Sequence, residues 1–412
     1  MPNCIVAQSG GPSSVVNATL AGIIKANQLC PIYDHVYGGI NGIEGILQER
    51  FVDLTKMSDH ENLVLRQTPA SALGSCRYKL KRNNVEDLEK VMSIMERYDA
   101  ETLFYIGGND SMDTVASLSE FANSKGIKNR RFVGCPKSID NDLIVIDHAP
   151  GFGSAAKFIA TTALQCWQDI NVYPASRKEV FILETMGRDA GWLAASACLS
   201  NIVDLLIVPE VNFDREAVLD EIAKIVEAKS KCFVVISEGA HYADGTYIAS
   251  AEARNDLFGT AVLGGAARAL EQMILEEGVC GRCKIQELST AQRSHASEQS
   301  LVDVNESYRI GMSAHMRSAD PDFTGKLVGI RRRKDIKEYD VEYYTIDADR
   351  VANFVRNFPE KWLLEDYHGI TDEAIQYMRP LIQGTPQLIM NDGLPEQTLP
   401  YYLCDIEIDK KP

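Results

Sequence analysis

Cys4-Ile5-Val6-Ala7, then Gln8-Ser9-Gly10-Gly11-Pro12, then Ser13–Gln28 with apolar side chains at Val16, Leu20, Ile23 and Ile24: this opening run decides the fold. An unbroken apolar run reads as a strand buried on both faces, the glycines as a tight turn, and the three-four spacing as an amphipathic helix. The same grammar recurs downstream. A stripe at Leu88, Val91, Met92 and Met95 precedes a predicted strand at Thr102–Ile106, and a helix at Ser111–Ala122 precedes a strand at Arg131–Cys135. A second series follows: helix Ser154–Asp169, strand Val180–Leu183, turn and helix Met186–Leu199, strand Val203–Val208, helix Asp214–Ala228, strand Cys232–Ser237, helix Thr260–Glu277 and strand Arg282–Leu288. Such alternation implies an α/β protein of two doubly wound, Rossmann-like lobes, with the active site expected in the cleft between them. The expected boundaries are 1–145 and 146–300. The texture changes after Ser300, where helices at Tyr308–Arg317 and Asp347–Phe358 and strands at Lys326–Ile330 and Val341–Thr345 suggest a C-terminal α+β extension over 301–412.

Composition narrows the function. Forty-two Lys and Arg against 58 Asp and Glu leave a formal charge of −16, which argues against nucleic-acid or anionic-membrane partners. An anionic substrate would be repelled at long range, so its site must carry its own cations. No apolar run is long enough to span a bilayer, and Met1–Ala7 lacks the basic start and long apolar core of a signal peptide. Ten cysteines, several inside apolar runs, read as reduced core residues of a cytoplasmic protein.

The chemistry concentrates at the ends of predicted strands, the edge where open α/β sheets bind ligands. After Arg131–Cys135 comes Pro136-Lys137-Ser138-Ile139-Asp140-Asn141-Asp142, a cation and a hydroxyl ahead of two carboxylates spaced two residues apart. Phosphoryl transfer needs such a set: Lys137 to neutralise phosphoryl oxygens, one carboxylate to take a proton and another to hold a metal. A solvated turn is the alternative for so Asn- and Asp-rich a stretch. Gly10-Gly11 lets backbone approach a phosphate at a helix N-terminus, or is simply a tight turn. In Gly107-Gly108-Asn109-Asp110-Ser111 a carboxylate opposes direct phosphate binding. Asp110 either organises a metal or water shell or excludes a bulkier ligand, and the stretch also suits a helix N-cap. Met186-Gly187-Arg188 offers a charge-assisted phosphate contact, Glu238 an acceptor for sugar hydroxyls, and Arg293 a further cation. Two patterns are set aside. Gly151-Phe152-Gly153-Ser154-Ala155-Ala156 fits a dinucleotide fingerprint but lacks the preceding strand, and Cys280-Gly281-Arg282-Cys283 has no second pair for zinc. The seven histidines show no ligand spacing.

Taken in order, Ser-Gly-Gly-Pro at 9–12, Leu-Gly-Ser-Cys-Arg at 73–77, the 107–111 turn, 136–142, Glu184–Gly191, Ser237–Ala240 and Gln292-Arg293 resemble the phosphofructokinase family over roughly residues 3–330. The resemblance implies that Asp140 is the base for the C1 hydroxyl of fructose 6-phosphate, with Lys137, Asp110 and Arg188 completing the catalytic set. It implies that Ser138, Ile139, Met186, Gly187, Arg188, Glu238, Thr290 and Arg293 line the sugar phosphate. Gly11, Arg77, Gly108 and Lys137 would face the phosphoryl donor, with Mg²⁺ near Asn109 and Asp142. The family's ATP users have Gly where Asp110 and Lys137 stand, so this pair is similar to the pyrophosphate-dependent branch. A carboxylate at 110 occupies and charges the space of an α-phosphate, and Gly38-Gly39-Ile40-Asn41 offers no ring for adenine. The implied reaction is reversible transfer from pyrophosphate to fructose 6-phosphate, giving fructose 1,6-bisphosphate in glycolysis or gluconeogenesis, by a homodimer or homotetramer.

Two departures bear on this. Asn109 replaces the usual carboxylate, a poorer ligand for a hard cation, and Thr290 replaces a His or Tyr against the sugar phosphate. They leave sedoheptulose 7-phosphate open as an acceptor. The alternatives are an ATP-dependent phosphofructokinase and a catalytically silent subunit that binds sugar phosphates.

Overall fold

The computed structural model describes residues 1–76, 78–249, 254–255, 261–262 and 264–398, and these form two compact units. The first comprises 1–154, 293–355 and the chain from 384 onward; the second comprises 155–292 and 356–383.

The first unit is built on a seven-stranded sheet. Its strands are β1 (Asn3–Gln8), β2 (Val36–Gly39), β3 (Phe51–Asp53), β4 (Ala100–Gly107) and β5 (Arg131–Pro136), joined by two late strands, Lys326–Arg332 and Val341–Asp347. β1, β2, β4 and β5 run parallel, with β1 between β2 and β4. Alternation along each strand sends neighbouring side chains to opposite faces. Cys4, Val6, Phe104, Ile106, Val133 and Cys135 pack beneath helices α1 (Val16–Leu29) and Leu301–Arg317. Ile5, Ala7, Leu103, Tyr105 and Phe132 pack on the other face, against Val85–Arg97 and Asn109–Ser124.

The segment after residue 300 is therefore part of the first layer structure up to residue 355. Lys326–Arg332 pairs in parallel with β5 and antiparallel with Val341–Asp347. Helix Leu301–Arg317, capped by Ser300, begins two turns before the predicted Tyr308. It lies so close to α1 that a Cβ on Gly22 would stand 2.1 Å from the Tyr308 carbonyl oxygen, and one on Gly311 2.0 Å from that of Thr19. Only glycine fits at either crossing point.

The second unit holds a four-stranded parallel sheet of Glu179–Thr185 (β6), Leu205–Ile207 (β7), Lys231–Ser237 (β8) and Cys283–Glu287 (β9), in the order β9-β6-β8-β7. Val180, Ile182, Val234 and Ile236 pack against helices Arg215–Lys229 and Ala266–Glu276. On the other face Phe181 and Phe233 stack at 5.2 Å, with Trp167 edge-on to Phe233.

Two predicted helices differ. Asp347–Phe358 is the end of a strand, one 3₁₀ turn at Ala348–Arg350 and irregular chain, because Asn353 adopts a left-handed φ of 63° that ends helical winding. The helix expected from Thr260 begins only at Ala266. Gly264 and Gly265 hold φ of 135° and 92°, and Thr260 itself lies outside the described residues. Strands β2 and β3 were not foreseen, being short and, at Gly38-Gly39, glycine-rich. None of the described helices is long and apolar enough to cross a membrane, and the described cysteines are all free, Cys280 and Cys283 included.

Candidate active site

In the first unit the carboxyl ends of the neighbouring strands β1, β4 and β5 bring three loops side by side. Ser9 N donates to Ile106 O and Lys137 N to Gly107 O, each at 2.9 Å, so the turn after β4 is stitched to the loops on both sides. Gly107 must be glycine: a Cβ would meet Ser111 Oγ at 2.0 Å and Ser9 O at 3.1 Å. Gly10 takes a φ of 76° and leads directly under the Lys137 ammonium, which donates to Gly11 O at 2.5 Å. A Cβ on Gly11 would stand 3.3 Å from an Arg293 guanidinium nitrogen. Gly11, Lys137 and Arg293 thus share one neighbourhood.

Lys137 is only 5% exposed. Burial pushes its ammonium down to about 8, opposed by the nearby Asp140 and Asp142 carboxylates and reinforced by the Arg293 charge. The loop is braced from within. Ser138 Oγ donates to Asp142 Oδ1 at 2.5 Å and accepts from Asp140 N at 3.2 Å, and buried Asn141, at a φ of 53°, accepts from Ala149 N. It is also braced from below. Ser138 N donates to Pro150 O, and Gly151 N and Ser154 N both donate to the buried Asp303 carboxylate, whose pKa is raised by desolvation. Next to this clasp His148 is buried between Asp147 and Glu306, at 2.9 and 2.6 Å. Burial alone would lower its pKa, but the two carboxylates win and hold it at about 9, as an imidazolium.

The turn after β4 is different in kind. Asp110 sits in the first turn of Asn109–Ser124, where a carboxylate complements the helix dipole, with its side chain 69% exposed. Lys79 Nζ donates to Asp110 Oδ1 at 2.8 Å and to Asn353 Oδ1 at 3.3 Å. Asn109 Nδ2 donates to Phe354 O at 3.4 Å. Arg77, predicted to face the donor, lies outside the described residues.

In the second unit the carboxyl ends of β9, β6 and β8 make a comparable edge. Gly187, at a φ of 129°, has its amide directed to Glu238 Oε1 at 3.4 Å and its carbonyl bonded by Ser237 Oγ at 2.5 Å. A Cβ on Gly239 would lie 2.0 Å from Arg188 O, so glycine there lets the Arg188 and Glu238 turns pack directly. Met186 N donates to Gln292 Oε1 at 3.2 Å, joining the β6 turn to the 3₁₀ segment Ser289–Arg293, in which Thr290 is exposed. Glu184, at the end of β6, accepts from Gly265 N and Ala267 N at the start of Ala266–Glu276.

The predicted residues therefore gather at strand ends. Gly11, Gly108, Asn109, Asp110, Lys137–Asp142 and Arg293 belong to the first unit, and Met186–Arg188, Glu238 and Thr290 to the second. Sequence reading missed Lys79, Asn353, Asp303, His148 and Glu306. Only Lys79, two residues past the Arg77 motif, carried a local signal. Among the described residues no group of three His, Cys, Asp or Glu side chains is set to hold a metal. A Mg²⁺ ion that keeps several waters and takes one or two carboxylates plus substrate phosphates needs no such cage.

The chain matches the phosphofructokinase family over residues 3–316. A pyrophosphate–fructose 6-phosphate 1-phosphotransferase of Halomonas elongata is 37% identical over 410 residues, covering 96% of this chain and 95% of that protein. Crystal structures of pyrophosphate-dependent phosphofructokinases from Marinobacter aquaeolei and Nitrosospira multiformis are each 32% identical, with TM-scores of 0.86 and 0.87. Each of these two comparisons covers 97% of this chain and 96% of the other.

Proposed function

Because the chain belongs to the phosphofructokinase family, we propose that it is a pyrophosphate-dependent phosphotransferase acting on the C1 hydroxyl of fructose 6-phosphate. The observation that carries this reading is the buried Lys137 ammonium at the Gly11 carbonyl, one loop away from an acidic residue at 110. A buried cation beside a glycine turn suits a compact, highly charged donor, and Asp110 opposes the extra phosphate of a nucleotide. The names carried by the relatives support the same donor and acceptor.

In the proposed step Asp140 accepts the C1 hydroxyl proton as the oxygen attacks the near phosphorus of pyrophosphate. The bond from that phosphorus to the bridging oxygen breaks, and orthophosphate leaves with the electron pair. Lys137 neutralises charge on the transferring group, and its amide anchor to Gly107 fixes its position relative to the donor turn. Ser138 orients both carboxylates, through Asp140 N and Asp142 Oδ1. Mg²⁺, held by Asp142 and more weakly by Asn109, would supply further charge neutralisation on the phosphates. Arg188, Glu238, Thr290, Met186, Gly187 and Arg293 are assigned to the sugar phosphate, and Ile139, buried in the loop, to shaping its floor.

A coupled assay with each donor tests the assignment. Fructose 1,6-bisphosphate should form with pyrophosphate and Mg²⁺ and not with ATP; turnover with ATP alone would overturn it. Sedoheptulose 7-phosphate in the same assay reads out the acceptor.

A further inference from the structure

The Lys79–Asp110 ion pair on the donor turn ties together three parts of the first unit that are far apart in sequence. Lys79 Nζ lies 2.8 Å from Asp110 Oδ1 and 3.3 Å from Asn353 Oδ1, while the next residues over, Asn109 Nδ2 and Phe354 O, approach at 3.4 Å. Asn353 is presented by a left-handed backbone (φ 63°), and this conformation is what stops the late chain from continuing as a helix. The arrangement therefore combines an unfavourable backbone choice with two polar contacts on one turn. For stability alone it accomplishes little, since Lys79 and Asp110 are 44% and 69% exposed and pairs so open to solvent add little to the fold.

Its consequence is electrostatic. A carboxylate on the turn that also presents Gly108 repels every anionic donor, pyrophosphate included. With the lysine in place the turn is close to neutral, yet the carboxylate still fills its space. We propose that Lys79, steered by Asn353, is a specificity-determining positioning residue: it fixes the Asp110 carboxylate and cancels its charge, so that Asp110 excludes a nucleotide by bulk without repelling pyrophosphate. This rests on the donor assignment above and adds a residue and a division of labour to it.

The test is a mutant cycle on the full chain, with steady-state kinetics in pyrophosphate and in fructose 6-phosphate. Lys79→Met should raise the KM for pyrophosphate about tenfold, with kcat and the sugar KM within twofold, and Lys79→Arg should recover most of the loss. In an Asp110→Gly background the same Lys79→Met change should alter the pyrophosphate KM less than twofold, because no carboxylate is left for Lys79 to hold away from the donor and a lone, half-exposed ammonium is screened by solvent. A Lys79→Met enzyme with an unchanged pyrophosphate KM overturns the proposal. So does an equal penalty with and without Asp110, which would make Lys79 a direct phosphate ligand. A wild-type enzyme that uses ATP and not pyrophosphate fails the donor assignment first, before any variant is measured. Unchanged circular dichroism and melting temperature separate all of these from misfolding.

Discussion

Two loops on the same sheet edge are held in opposite ways. The loop Pro136–Asp142 is buried, braced by Ser138 and Asn141 from within and by Asp303 and the His148–Glu306 pair from beneath. The Gly107–Ser111 turn, one strand away, is anchored through its Gly107 carbonyl, but its acidic side chain lies in solvent, paired with the half-exposed Lys79. The difference fits the roles proposed for the two loops. A base and a cation that meet the reacting atoms need a fixed position, since small displacements cost rate steeply. A side chain that only screens donors needs to occupy space. The comparison predicts large, chemistry-specific effects in the buried loop and modest effects, mainly on the donor, in the exposed turn.

The largest expected effect is Asp140→Asn. Removing the base while keeping shape and the Ser138 hydrogen bond to its amide should lower kcat about 10³-fold, with sugar-phosphate binding retained by calorimetry. Near-normal turnover would remove Asp140 from its role and make the loop no more demanding than the turn.

Next is Lys137→Met, which sharpens the contrast because activity and stability should part company. Burial works against this ammonium in the folded state, as its lowering to about 8 records. Deleting the charge while keeping most of the side chain's volume should leave the melting temperature unchanged or higher, while turnover with pyrophosphate falls about 10²-fold. A destabilised but active variant would mean that Lys137 is a structural strut.

The same buried charge gives a pH dependence with a definite sign. A folded-state pKa depressed from 10.5 to about 8 means that the cation is lost as pH rises through 8. Pyrophosphate KM in the free enzyme should therefore climb above pH 8, by up to about tenfold per unit. Lys79, whose pKa its hydrogen bond to Asp110 raises further, should contribute nothing in that range, so Lys79→Met should keep the profile's midpoint and Lys137→Met should flatten it.

How legible was all this in the chain? The strands bearing the site were plain, because parallel strands covered on both faces are continuous apolar runs such as Ile5–Ala7 and Val234–Ile236. Their loops were legible too, since Gly10-Gly11, Lys137–Asp142 and Met186–Arg188 each pack several chemical groups into a few residues. What did not show was anything whose meaning depends on a partner far along the chain. Gly22 and Gly311 look like weak points of two helices until their crossing is seen. Asp303 and Glu306 read as the polar face of Leu301–Arg317, yet they clasp the chain below the Pro136–Asp142 loop from about 150 residues away. His148 carried no local signal because one of its partners is simply the adjacent Asp147 and the other, Glu306, lies far along the chain. The late segment was misread for the same reason. Val341–Asp347 completes a sheet begun by β1, and Asn353 answers to Lys79, neither of which local periodicity can reveal.

The smallest expected effect belongs to Asp110→Gly. Glycine at the start of Asn109–Ser124 loses a favourable first-turn charge and a surface ion pair, together worth about 1 kcal/mol or less, so the fold should hold. The pyrophosphate KM should move no more than about threefold, and downward if at all, since the substitution leaves Lys79 as an unpaired cation on the turn, at an exposed position where solvent screens it. What should change is exclusion: with the side chain gone, slow turnover with ATP should become measurable, and adding Lys137→Gly should weaken pyrophosphate use while ATP use persists. If Asp110→Gly behaves like Lys137→Met, losing kcat with pyrophosphate, the exposed turn takes part in the chemistry and the division between the two loops is wrong. If neither donor notices the change, the discrimination lies elsewhere on the edge, with the Gly38–Asn41 stretch the next position to alter.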